Sequence, residues 1–158
     1  MKNTYLQSIC MGIIAGMRSM SAPALVSNYL ADKQSFEIEN SAFRFLASQK
    51  TANVLTVLAI GEIIADKLPL VPDRISPVPL IGRGISGAIC GAALCIAEDE
   101  RPEIGVLTGL TGAIISTYGF YYLRHKLSED AGIPDLLLGL AEDALVVKGG
   151  QSVLEGNK

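Results

Sequence analysis

The sequence has no tryptophan, one histidine and three cysteines in 158 residues. The single imidazole, His125, stands in a basic cluster with no serine or cysteine placed to partner it, so hydrolysis by a histidine-activated nucleophile has no support. Cys10, Cys90 and Cys95 lie in apolar runs, are odd in number and show no CxxC spacing. That excludes a disulfide framework and a zinc site of ordinary spacing, and leaves them as small packing residues. Charge is scarce, at 18% against about 25% in ordinary soluble domains. The net charge of -3 comes with no basic stripe, which argues against a nucleic-acid partner.

What the sequence has in abundance is apolar residues (49%) and glycine (16), with a mean hydropathy of +0.38. The nine aromatics are five Tyr and four Phe, gathered mostly near the ends of apolar stretches as in an interfacial belt. Together these predict an all-α fold, a polytopic bundle of about five short, glycine-rich transmembrane helices in a single domain over 1–158.

The clearest span is 104–123, which carries no ionisable side chain and no polar stripe beyond Thr, Ser and Gly. It is closed by Tyr121, Tyr122, Arg124, His125 and Lys126. A first span is expected over 5–29, where the bounding tyrosines lie about 36 Å apart along a helix. Arg18 lies near its middle, and Pro23 predicts a break or kink near Ser19–Pro23. Lys2, Ile9–Ala15 and Ala22-Pro23-Ala24 imitate a signal peptide, but apolar sequence resumes after Arg18, so a retained span is expected.

A polar stretch over 31–49 follows, in which Phe43, Phe45 and Leu46 predict a surface-lying amphipathic segment. The second span is 51–70. Prolines at 69, 72, 77 and 79 then predict an extended or re-entrant connector with no regular helix. The remaining spans are 80–97 and 133–147, the last short and interrupted by Asp135, Glu142 and Asp143. Six Lys or Arg fall on each side of this arrangement once Arg18 is set aside, so charge gives no orientation.

The informative residues are Arg18, Glu62, Asp66, Glu142 and Asp143. Each costs about 2.5–3.5 kcal/mol at the centre of a membrane helix on insertion scales. They are therefore expected to share a pairing network or a wet cavity. Glu62 and Asp66 are four apart on one helix face and repel unless a cation lies between them, for which Arg18 is the natural candidate. This set is the expected substrate- or ion-binding site; no catalytic residue and no cofactor is expected. Lys67 and Arg74, near a span end, are read as snorkelling to headgroups. Arg83 is read as a headgroup or phosphate contact at a helix start.

Gly12/Gly16, Gly87/Gly91 and Gly105/Gly109 are small-xxx-small pairs that let helices approach closely, within the chain or in a homo-oligomer. The segment 82–87 also matches GxGxxG, but it follows prolines rather than a strand and has no βαβ context, so a dinucleotide is not expected. Gly12–Gly16 and Gly105–Gly109 echo each other, each followed one span later by acids in an apolar helix. If three crossings separate them, they form an inverted repeat of the kind found in transporters.

Three stretches resemble a bacterial membrane family known as domain of unknown function 4126: 12–24 (GIIAGMRSMSAPA), 62–74 (EIIADKLPLVPDR) and 83–92 (RGISGAICGA). The resemblance implies a small multi-pass inner-membrane protein and implies no activity. The functional expectation is a small transporter or conductor of an ion or charged solute, with its charged site at mid-membrane. The alternatives are a membrane scaffold whose charges are structural ion pairs, and a lipid-phosphate enzyme.

Overall fold

The computed structural model describes residues 4–33, 35–66, 75–130 and 132–155. Among these there are seven α-helices, one short 3₁₀ segment and no strand. The helices are α1 (Thr4–Met17), α2 (Ser21–Lys33), α3 (Phe36–Glu39), α4 (Gln49–Ala65), α5 (Pro77–Ala97), α6 (Pro102–Asp130) and α7 (Asp135–Glu155), with the 3₁₀ turn at Arg44–Ala47. Of these, α5 and α6 are long and apolar enough to cross a membrane by length and composition.

The centre is a sandwich of α1, α5 and α6 in which glycine replaces bulk. Gly91 lies on Gly105, Gly87 on Gly109, and Gly12 on Gly109 from the other side. Gly16 lies against Ala113, Ser116 and Thr117. A methyl group at any of these positions would overlap a neighbouring backbone, so side-chain-free contact sets the helix spacing. Hydroxyls stitch the same seam: Ser116 Oγ donates to the Ile13 carbonyl (2.8 Å) and Thr117 Oγ1 to that of Gly16 (3.2 Å). All six of the glycines named above are thus occupied within one chain, and a second copy would have to use other surfaces.

These contacts also fix direction. α1 and α6 run the same way, from Tyr5 beside Glu100 to Gly16 beside Thr117, and α5 runs against both. The two echoing glycine segments are therefore parallel neighbours. This overturns the inverted repeat, which needs them to run in opposite directions.

The stretch 5–29 does not form one kinked crossing. α1 and α2, about 21 and 20 Å long from their 14 and 13 residues, fold back on each other. Both outer ends meet the corner after α5: Tyr5 Oη donates to Glu100 (2.9 Å), Lys33 pairs with Glu98, and Ser35 Oγ donates to the Ala97 carbonyl (3.0 Å). The hairpin tip is Arg18–Met20. α1 closes on a bond from Arg18 N to Ile14 O, and α2 opens on one from Ala24 N to Met20 O. Pro23 falls in the first turn of α2, where no N–H is required, so it starts a helix rather than bending one.

The other spans shift as well. Pro77 and Pro79 sit in the first turn of α5 for the same reason, which shortens the expected connector from its C-terminal side. α6 continues to Asp130 and α7 to Glu155, past the apolar runs that announced them. In the polar stretch Ile38 and Leu46 are buried against the bundle, while Phe36 and Phe45 face outward.

Around an apolar core, a charged side chain is buried and many large apolar side chains are exposed. Arg18 is the largest fully buried side chain, at 2% exposure. Large apolar side chains cover the outside: Val54, Val57 and Ile64 on α4, Val78 and Ile81 on α5, and Ile115 and Leu123 on α6.

Candidate functional site

The tip of the hairpin carries Arg18 into the gap between α4 and α7. Its guanidinium fork divides: Nη1 lies 2.8 Å from Asp66 and Nη2 lies 2.7 Å from Asp143. Asp66 is the C-cap of α4, a place where the helix dipole disfavours a carboxylate and where a cation must compensate. Arg18 does so from one side and Arg124, 3.8 Å away, from the other. Arg124 also lies 3.6 Å from Glu142, so a chain of alternating charge runs Asp143–Arg18–Asp66–Arg124–Glu142.

Glu62 stands beside this chain with a separate task. It accepts three hydrogen bonds from the tip: from Ser19 N (2.9 Å), Ser19 Oγ (2.7 Å) and Met20 N (2.8 Å). These N–H groups precede the first turn of α2 and have no partner within a helix, and a carboxylate there also meets the positive end of the dipole. The Ser19 carbonyl is satisfied by Ser86 Oγ on α5 at 2.5 Å.

The structure thus gathers Arg18, Glu62, Asp66, Glu142 and Asp143 in one place and adds Arg124. The sequence placed Arg124 in the cap after an apolar span. Its position was readable from the buried stripe of α6, which steps through Gly109, Ala113, Ser116 and Thr117 and reaches Arg124 seven residues on.

Arg83 is not at a helix start. It is the seventh residue of α5 and buried, so the backbone N–H groups around it are committed within the helix. The GxGxxG match lies wholly inside α5, with Gly84 and Gly87 turned to α6. Lys67 and Arg74 lie outside the described residues. His125 is exposed, stacked on Tyr121 and 3.2 Å from Glu129. Among the described residues, no three His, Cys, Asp or Glu side chains are grouped to hold a metal ion.

Two cavities flank the cluster. A half-open groove of about 430 Å³ lies between α2, α4 and α7, with Ser21 and Ile63 at its inner end. A smaller one of about 130 Å³ lies between α6 and α7, lined by Arg124 and Glu142 themselves.

Residues 6–150 match the family described as domain of unknown function, DUF4126. The chain belongs to this family. The match takes in every member of the charged cluster, so the cluster lies within the DUF4126 domain and is not an appendage to it. Among curated proteins and solved structures, none matches the chain.

Proposed function

We propose that this DUF4126 protein is a multi-pass membrane protein that passes a small ion or charged solute through the bilayer by way of the Arg18 cluster. The observation that carries this reading is a gathered set of charged side chains inside a bundle whose outer faces are largely apolar. Apolar side chains cover the outside, and six charged side chains stand in the middle between two cavities. A water-soluble fold would gain nothing from exposing that much valine, isoleucine and leucine. A bilayer gives that surface its solvent, and charged groups at such depth are retained where they line an ion or solute path.

The hairpin supports the same reading. Non-helical backbone is tolerated at membrane depth only where protein satisfies it, and the tip is satisfied by Glu62 and Ser86. In this arrangement α4, α5, α6 and α7 cross, and α1–α2 enters and returns.

The test is flux in proteoliposomes, read with a pH-sensitive dye under an imposed potential and with a panel of monovalent ions. Asp143→Asn and Asp66→Asn keep the shape of each side chain and remove its charge. Each is expected to lower flux more than tenfold while the protein elutes as before on size exclusion. Unchanged flux in both variants would remove the cluster from the pathway.

One observation favours a second reading, in which the charges only hold the helices together. The two arginines pair with three of the acids, and the fourth, Glu62, already caps α2. On that reading the same substitutions lower the melting temperature, and no ion moves in the unaltered protein.

A further inference from the structure

The groove between α2, α4 and α7 has a chemistry of its own. Its walls are apolar, with Ala24 and Leu25 from α2, Ala59 and Ile60 from α4, and Val147 and Leu154 from α7. Among its lining residues Asn28 donates to Thr56 Oγ1 (3.1 Å), a polar link that joins α2 to α4. The groove follows α2 from Ser21 to Asp32, a rise of about 16 Å. Its volume of about 430 Å³ is in the range of small-molecule sites.

Charge decides what fits. Of the described residues that line the groove, only Asp32 and Glu155 are formally charged, and both are acidic. Both stand at the outer end. The inner end stops at Ile63, next in the chain to Glu62. Lys33, next in the chain to Asp32, is engaged in its pair with Glu98. An anion would meet two carboxylates at the mouth and no cation among the described lining residues. A bare inorganic cation would find no use for the apolar walls.

From this we infer that the groove is a binding site for an amphipathic organic cation: a hydrocarbon or aromatic body held by α2, α4 and α7, with its positive centre at the Asp32–Glu155 mouth. The inference stands on the shape and charge of the groove and does not need the transport reading, since binding requires no gradient.

The absence of tryptophan makes the test direct. Ile60→Trp puts one indole on the groove wall at a half-exposed position that tolerates a larger ring. Ile115→Trp puts one on the outer face of α6, away from the groove. Each variant, purified in a neutral maltoside detergent, is titrated with tetraphenylphosphonium and with tetraphenylborate, which share a shape and differ in sign. Saturable quenching by the phosphonium is expected at Trp in position 60 only, at least about tenfold tighter than for the borate. Adding Asp32→Asn and Glu155→Gln, both on the surface and harmless to folding, is expected to weaken it about fivefold, the scale of exposed charge pairs. The inference is overturned by any of three results: equal quenching at the two tryptophans, which is partition into the micelle; equal affinity for the two probes; or no change on removing both mouth carboxylates.

Discussion

Arg18 is held by two carboxylates on different helices, and what it does there depends on the shape of its head group as much as on its charge. Arg18→Lys keeps the charge but replaces a planar fork by a point, so α4 and α7 can no longer be bridged with the same geometry. It is expected to lower the thermal midpoint clearly, while Arg18→Ala, which takes the bridging cation from both Asp66 and Asp143, costs about 3–5 kcal/mol and shows as lost folded yield. Glu62→Gln retains an acceptor for the hairpin tip and loses only the charge, so a smaller loss of about 1 kcal/mol is expected in the same melting assay. At this scale the sequence was informative. A charge inside an apolar run stands out, and the five singled out as the expected site lie together. Arg124 was hidden because it follows its apolar run, where a cation has an ordinary explanation. Only the helical spacing back to Thr117 separates it from its neighbours His125 and Lys126.

The seam of α1, α5 and α6 is an element-scale device, and its glycines are not equivalent to glycines elsewhere. Gly91→Ala places a methyl group into the backbone of Gly105, and Gly109→Ala one into that of Gly87. Each is expected to destabilise by about 1–3 kcal/mol or to abolish folding, because two main chains would have to separate. Gly119 on the same helix meets no described atom within 4 Å, and Gly119→Ala is expected to be neutral or to stabilise by up to about 1 kcal/mol. Thermal scans of the three variants side by side check both halves of this claim. The glycine pairs were legible from spacing; their intrachain partners were not, since a small-xxx-small face does not say what lies across from it. The hairpin was missed for a related reason. A largely apolar stretch of 25 residues has one length whether it crosses or returns, and the signals for a return, Arg18-Ser19 and then Pro23, are shared by a kink. Contacts with Glu98 and Glu100, about seventy and ninety-five positions away, distinguish the two.

At the scale of the molecule, the apolar exterior predicts that the protein stays with membranes through an alkaline carbonate wash and leaves them only with detergent; release by the wash alone would contradict the bilayer reading. The hairpin has one more consequence, for the count of sides. On the bilayer arrangement proposed above, α1 and α2 go in and come back and add no net passage, and the crossings of α4, α5, α6 and α7 cancel in pairs. Gln7 in α1 and Val153 near the close of α7 are joined by a hydrogen bond of 2.9 Å. The same arrangement therefore predicts that the start of α1 and the close of α7 face one compartment. A reporter fused to either end should light up in the same place, and any topology scheme built on an odd tally of passages would put the tail on the wrong side.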